Sequence, residues 1–176
     1  LGTDDGALIE IITSRSNKRI KEMSDLYFQS KLYHIIYFIF ILLICNFSLS
    51  LSFITVYRKK MEDDVVGDTS GAYKKLLVSL LTASRPETFE VDLNLVRKDV
   101  EDLVSAGIKK WGTDESKFNM IFGVRSYSHL RQMFEEYQKK TGKTIEDSIK
   151  SEMSGNIAKT YLALSRVFLL IESSLK

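Results

Sequence analysis

Cysteine and proline are almost absent from this chain of 176 residues, which has one of each, Cys45 and Pro86. A single cysteine excludes an internal disulfide framework and is typical of a protein in a reducing compartment. The chain has two histidines, and no residue spacing in it is typical of a nucleophile with its base or of a nucleotide-binding loop. We therefore expect a binding protein and not an enzyme.

An excess of charge of one sign is also missing. The chain carries 25 Lys and Arg against 23 Asp and Glu, and the two signs alternate instead of forming a basic tract. This distribution does not indicate a nucleic-acid partner. The sequence starts at Leu1 inside a motif, so we expect that its native beginning is missing, and no secretory signal is visible there.

One long segment lacks charge altogether. Residues 32–57 contain no Lys, Arg, Asp or Glu, and charged residues at 31 and 58–60 flank them. By length and hydropathy this segment qualifies as a candidate membrane span. One open interpretation is therefore a single-pass membrane protein that crosses the bilayer through residues 32–57.

Two copies of a short motif are the most informative feature that is present. Gly2–Asp5 recurs as Gly112–Glu115, and Gly67–Gly71 recurs loosely as Ser151–Gly155. Each copy thus pairs a glycine-bearing loop with a remote acid. Such a pair suits Ca²⁺, which takes six to eight oxygen ligands from main-chain carbonyls and carboxylates. The other reading makes Thr113 a helix cap and the neighbouring acids dipole partners, but recurrence favours a metal loop.

The spacing of the copies locates surplus sequence in the first one. The separation of Gly2 from Asp68 exceeds that of Gly112 from Glu152 by 26 residues, and the register of the two copies is lost after Tyr27. Removing residues 30–55 restores the spacing. A membrane crossing there would separate helices that have to pack together. We therefore interpret the insert as a retained intron, whose AT-rich codons would give its Phe, Ile, Leu, Tyr, Asn, Ser and Lys bias.

Helical periodicity accounts for the rest of the chain. Apolar residues recur at helical spacing in four stripes after the linker at residues 84–87. Gly142 is expected to end one helix, and Thr144 with Asp147 resembles a capping box that opens the next. The sequence predicts two units: an incomplete first unit at 1–84 and a complete second unit of five helices at 85–168, followed by a tail at 169–176.

Single residues near the second loop allow two readings each. Trp111, the only tryptophan, suits a bilayer interface, or else it is a half-buried loop aromatic. Lys109 and Lys110 could attract anionic headgroups or form ordinary solvated surface. His129 has no second ligand at metal spacing, so we expect it to have a surface or packing role.

At these residues the chain resembles the annexin family. Residues 65–71 look like the end of the second annexin repeat, and residues 106–115, followed by Phe118 and residues 121–123, look like the calcium loop of the third. The resemblance covers nearly everything outside residues 30–55 and the last eight or so. It implies an all-α fold with tandem repeats of four to five helices in a right-handed superhelix, interrupted by the apolar insert.

The resemblance also implies a function and a set of site residues. The function is calcium-dependent, peripheral binding to acidic phospholipid on the cytoplasmic face of membranes. Gly107, Lys110 and Gly112 would bind Ca²⁺ through carbonyl oxygens, and Glu152 through both carboxylate oxygens. Trp111 and Lys109 would contact the membrane. In the first unit the matching residues are Gly2 and Asp68, without the preceding carbonyl donors.

A further alternative is a splice product without function. Such a product would misfold and would show low solubility and protease sensitivity near residues 30–55.

Overall fold

The computed structural model of the protein describes residues 4–44, 60–107 and 115–173, and these residues form nine α-helices and no strand. The helices are α1 (Asp5–Thr13), α2 (Asn17–Ile44), α3 (Met61–Asp68), α4 (Gly71–Leu81), α5 (Leu93–Gly107), α6 (Glu115–Val124), α7 (Tyr127–Thr141), α8 (Ile145–Glu152) and α9 (Gly155–Ser173). The predicted all-α fold is confirmed.

The two units match at the junctions that carry the acids. Helices α3 and α8 both have eight residues and end at Asp68 and Glu152, and each is followed by a residue in extended conformation. The next helices, α4 and α9, begin at Gly71 and Gly155, with φ angles of 61° and 69°. Glycine adopts this left-handed conformation without the steric cost that other residues meet. The loosely similar sequence motifs therefore have the same backbone path.

Helix α2 is longer than its counterpart α7 because it has no stop residue at the matching position. Helix α7 ends at Thr141, and the next residue, Gly142, has a φ of 73°, the left-handed conformation that often closes a helix. Counted from the start of each helix, the position in α2 that corresponds to Gly142 is Leu32, and α2 continues to Ile44. The described part of the predicted insert is thus helical. Its exposed apolar side chains are Leu32, Tyr33, Ile36, Tyr37 and Phe40.

Among the described residues, no helix combines the length and the apolar character that crossing a membrane requires. Residues 45–57 of the candidate span lie outside the described residues.

The two units share one core. Helix α4 packs on α6, helix α1 packs on α9, and α4 also contacts α9. The contact of α4 with α6 is close, because a Cβ added to Gly123 would lie 2.6 Å from the Ser79 hydroxyl oxygen. Side chains from both units fill the centre, among them Ile12, Leu76, Leu77, Phe122 and Tyr161. The division at residues 84 and 85, which falls between α4 and α5, stays a prediction, as does the separate tail, into which α9 continues.

Candidate functional site

The predicted ligands of the second unit sit where helices end. Gly107 is the last residue of α5, and Glu152 is the last residue of α8. Lys109, Lys110, Trp111 and Gly112 lie outside the described residues. The described residues therefore fix the two ends of the predicted loop and the position of the acid in the fold, and the predicted coordination itself stays a prediction.

Polar contacts hold both ends of this loop together. The Nζ atom of Lys117, in the first turn of α6, lies 3.5 Å from Oδ1 of Asp102 and donates to the hydroxyl of Ser105 at 3.1 Å. Asp102 and Ser105 belong to the last turns of α5. The C-terminal end of α5 and the N-terminal end of α6 are thus neighbours.

The start of α9 meets the start of α6 at the same end of the bundle. The Tyr161 hydroxyl donates to Oδ1 of Asn119 at 2.7 Å and lies 3.4 Å from the main-chain oxygen of Glu115. Burial raises the pKa of Tyr161, and the Glu115 carboxylate adds to the rise. Glu152 precedes Gly155, the first residue of α9, by three residues, a span of no more than ~10 Å. The acid and the loop ends consequently share one end of the second unit.

The electrostatics at this end favour a cation. The last four carbonyl groups of a helix have no partner within the helix, and the macrodipole adds partial negative charge there. Both Gly107 and Glu152 occupy such C-terminal ends. Glu152 is half-buried, and its charge adds to the burial that raises the pKa of Tyr137. Carbonyl and carboxylate oxygens are the donors that Ca²⁺ prefers, so this donor set fits the ion.

In the first unit, the described acids have separate tasks. Asp4 caps α1 by accepting a hydrogen bond from the Ala7 amide at 3.0 Å. The carboxylate of Asp5 accepts from the Tyr73 hydroxyl at 3.2 Å and from Nδ2 of Asn156 at 2.7 Å. Asp68 ends α3, as Glu152 ends α8, whereas Gly2 lies outside the described residues.

Conventional side-chain metal clusters do not occur in residues 4–44, 60–107 and 115–173: no group of three or more His, Cys, Asp and Glu there could hold an ion. His129 is buried, and its Nε2 lies 2.9 Å from Oδ2 of Asp99. His129 therefore has a packing role, which is one of the two roles that the sequence predicted.

Sequence reasoning missed the residues that connect the two loops across the units. Asn119 of α6 donates to the Ala72 main-chain oxygen at 3.0 Å, and Asn156 of α9 donates to Asp5. A single asparagine belongs to no motif, and its partner lies in the other unit. The only available signal was the position of Ala72 and Asn156, each directly after a glycine that ends the repeated acidic motif.

Comparison with known proteins identifies relatives over most of the chain. The family model described as Annexin matches residues 98–164. Annexin A3 of Rattus norvegicus is 38% identical over 166 residues, which cover 94% of this chain and 43% of the relative. The chain thus spans less than half the length of this relative.

Solved annexin structures are also similar to this chain over most of its length. The structure of an annexin A8 mutant aligns with a TM-score of 0.79 and 35% identity, over 98% of this chain and 46% of the other. The calcium-bound structure of annexin (Sm)1 aligns with a TM-score of 0.70 and 25% identity, over 95% of this chain and 44% of the other.

Proposed function

Because the chain belongs to the annexin family, we propose that it binds acidic phospholipid membranes in a calcium-dependent manner, with Ca²⁺ as the bridge between protein and lipid. The protein acts as a binding protein and attaches peripherally to the cytoplasmic face of membranes when calcium rises. It has no nucleic-acid partner in this role.

The observation that carries the proposal is the shared location of the loop ends and the acid. Lys117 connects the end of α5 to the start of α6. Tyr161 connects the start of α6 to α9, the helix that follows the junction after Glu152. A loop between α5 and α6 and the acid at the end of α8 can therefore face one ion. That one relative was solved with calcium bound supports the choice of ion.

The proposed ligands in the second unit are main-chain oxygens and one carboxylate. Gly107, Lys110 and Gly112 provide carbonyl oxygens, and Glu152 provides both carboxylate oxygens. These residues do not complete a shell of six to eight oxygens. A phosphate or carboxylate oxygen of a lipid headgroup fills the remaining positions.

This incomplete shell explains why calcium and lipid binding depend on each other. Each ligand completes the site for the other, so the affinity for Ca²⁺ rises when acidic lipid is present, and the reverse holds by linkage. Trp111 then lies at the bilayer interface, where an amphipathic ring is favoured, and Lys109 contacts anionic headgroups.

The first unit provides a second, weaker site. Asp68 occupies the same position at the end of α3 that Glu152 occupies at the end of α8. Its partner loop contains Gly2. Because an aspartate has a shorter side chain than a glutamate, this site binds calcium less tightly.

The test is co-sedimentation with vesicles of phosphatidylserine and phosphatidylcholine. We expect the unchanged chain to pellet with calcium and to return to the supernatant with chelator. Glu152→Gln removes the anionic ligand without a change of shape and should abolish most of the binding by the second unit. Glu135→Gln, the same substitution at an exposed glutamate of α7 that pairs with Arg131, is the matched control.

Two results would contradict the proposal. One is Glu152→Gln protein that pellets at the calcium concentration that the unchanged chain needs, with unchanged helicity by circular dichroism. The other is protein that stays in the pellet after alkaline extraction without calcium, which would instead indicate a membrane span through residues 32–57. Cleavage near residues 30–55 at low protease concentration, together with poor solubility, would indicate the misfolded splice product.

A further inference from the structure

We propose that α1 and α2 form a docking face for an amphipathic helix of another polypeptide, one that carries an acid within its apolar stripe. The face consists of Ile11 in α1, Arg15 just after α1, and Met23 and Leu26 in α2. We call it the α1–α2 face. None of these residues belongs to the proposed calcium sites, so this inference does not rest on the proposed function.

In the second unit, the corresponding surface is covered by α5. The starts of α1 and α6, Asp5 and Glu115, and the starts of α2 and α7, Asn17 and Tyr127, differ by the same 110 positions. Residues of the two helix pairs therefore correspond at that separation. Helix α5 packs on both α6 and α7, whereas the described helices include no equivalent of α5 for α1 and α2.

Three residues spaced by four positions show which side of α6 is covered. Lys117 and Arg125 both pair with acids of α5. Ile121 lies one turn from each, on the same side of the helix, and is fully buried. Ile121 therefore faces α5. Its counterpart in α1 is Ile11, and this side chain is 38% exposed.

The same difference occurs between α7 and α2. His129 contacts α5, and Glu136 lines a groove together with α5 residues. Met133 lies between them on this side of α7 and is fully buried. The counterparts in α2 are more open: Met23 is only partly buried, and Leu26, at the position of Glu136, is 64% exposed. The α1–α2 face is thus an uncovered apolar surface of the shape that α5 covers in the other unit.

Arg15 gives this apolar face a charge that selects its partner. Its counterpart, Arg125, donates two hydrogen bonds to the buried carboxylate of Asp99 in α5. Arg15 is exposed, and no carboxylate pairs with it in residues 4–44, 60–107 and 115–173. An acid in a docked helix would take the place beside Arg15 that Asp99 has beside Arg125. Complementary charge of this kind favours one class of partner over others.

Helix α5 shows the sequence pattern that such a partner needs. Its buried apolar residues Val96, Val100 and Leu103 recur at helical spacing, and Asp99 is buried on the same side. A second copy of this chain is a poor occupant. Its own α5 is already packed within its second unit, and a symmetric pairing of two α1–α2 faces would bring Arg15 of one copy close to Arg15 of the other.

The probe for this face is a fluorescently labelled synthetic peptide of residues 92–107. It contains α5 and its cap, because the Asp92 carboxylate accepts hydrogen bonds from the amides of Asn94 and Leu95. Binding to the full chain is measured by fluorescence anisotropy with chelator and without vesicles. We expect saturable binding of one peptide per chain. Circular dichroism should show a gain of helix on binding, since an isolated helix of this length is marginal in water.

Substitutions on both sides identify the face. Ile11→Glu and Arg15→Glu should each weaken binding about 10-fold or more, because they place an uncompensated or like charge against the helix. The matched control is Arg131→Glu, at an exposed arginine of α7, which should keep the original affinity. The peptide with Asp99→Arg should bind the Arg15→Glu chain within about 3-fold of the original pair, since the exchange restores the pairing. Unfolding of a variant could not be reversed by the peptide.

Three results would overturn the proposal: no saturable binding, equal binding by the Ile11→Glu, Arg15→Glu and unchanged chains, or charge exchange without recovery. Dimers of the unchanged chain in sedimentation velocity that Ile11→Glu dissociates, together with no peptide binding, would assign the face to a second copy instead. Because these measurements use neither calcium nor lipid, failure of the proposed function would leave their result unaffected.

Discussion

The guanidinium carbon of Arg85 lies 5.0 Å from the centroid of the Tyr127 ring, which it covers as a cation over an aromatic face. The same guanidinium donates hydrogen bonds to the main-chain oxygens of Phe122 and Arg125. These carbonyls belong to the C-terminal end of α6, where helices lack internal donors and favour positive charge. Burial lowers the pKa of Arg85. Arg85 therefore connects the segment between the units to the end of α6.

Replacing Arg85 should destabilise the protein strongly. In Arg85→Met the apolar stem remains, but two carbonyls lose their donor and the aromatic contact is lost. We expect a decrease in the free energy of unfolding of about 2–4 kcal/mol. The measurement is urea denaturation monitored by circular dichroism.

The control for this change is Lys18→Met, since the Lys18 side chain is 84% exposed and its ion pair with Glu22 is long, at 3.9 Å. Such a pair contributes little. Equal losses of stability for Arg85→Met and Lys18→Met would contradict the role assigned to Arg85.

A buried acid joins α5 to α7. Asp99 is 1% exposed, and its carboxylate accepts hydrogen bonds from Nε and Nη2 of Arg125 at 2.6 and 3.0 Å. It also contacts His129. Asp99→Ala should reduce the free energy of unfolding by roughly 3 kcal/mol, because it leaves partners of a buried ion pair uncompensated. For a chain of this size, the thermal midpoint should fall by roughly 6–12 °C.

Asp102→Ala serves as the comparison for Asp99→Ala. The Asp102 side chain is 28% exposed and 3.5 Å from Lys117, and its removal should cost less than about 1 kcal/mol. If thermal unfolding shifted equally in the two variants, burial would not be what makes Asp99 important.

Two buried tyrosines predict how stability depends on pH. Burial raises the pKa of Tyr73 and Tyr161 above the ordinary value of 10.0, and the charges of Asp5 and Glu115 respectively raise it further. The unfolded chain therefore releases these protons at a lower pH than the folded chain does. Their contribution to stability is fully present below pH 10 and is lost as pH rises through the folded pKa values.

The measurement is the free energy of unfolding between pH 8 and 11. Above pH 10 each such tyrosine should lower it by about 1.4 kcal/mol per pH unit. Tyr161→Phe removes one ionisable group and should make the decline shallower by that amount. A variant with the same slope as the unchanged chain would show that Tyr161 ionises equally in both states.

The apolar extension of α2 predicts self-association. Ile36, Tyr37 and Phe40 are 56%, 67% and 60% exposed, and their helix continues without charge to Ile44. Deletion of residues 30–55, which we interpret as retained intron, should reduce oligomers in sedimentation velocity. A second variant, Ile36→Glu with Phe40→Glu, keeps the full chain length and should also reduce oligomers. Genomic DNA without intron boundaries at residues 30 and 55 would contradict the splicing interpretation.

Local signals predicted much of the fold. Gly142 ends α7, and Thr144 caps α8 by accepting from the Asp147 amide at 3.1 Å, because caps and stops depend on a few neighbouring residues. The repeat predicted that Asp68 and Glu152 would occupy equivalent positions, and both end eight-residue helices.

Features that depend on distant partners were not predictable in this way. The segment around Arg85 was interpreted as a linker, since a polar sequence with proline gives no sign that the arginine is 7% exposed and hydrogen-bonded to residues 37 and 40 positions away. Asn119 and Asn156 gave no signal because their hydrogen-bond partners lie 47 and 151 positions away in the sequence. The calcium loop at residues 108–114 stays a prediction.

Helix α2 also shows how a protein of this kind can accept additional sequence. Lys31 is the second residue of the predicted insert, and its ammonium pairs with Asp64 at 3.2 Å, so the insert is anchored to α3 at its start. Residues added after Lys31 lengthen helix α2 and leave the shared core in place. A helix end without a terminating glycine can thus be lengthened by added codons without a change in the packing of the core.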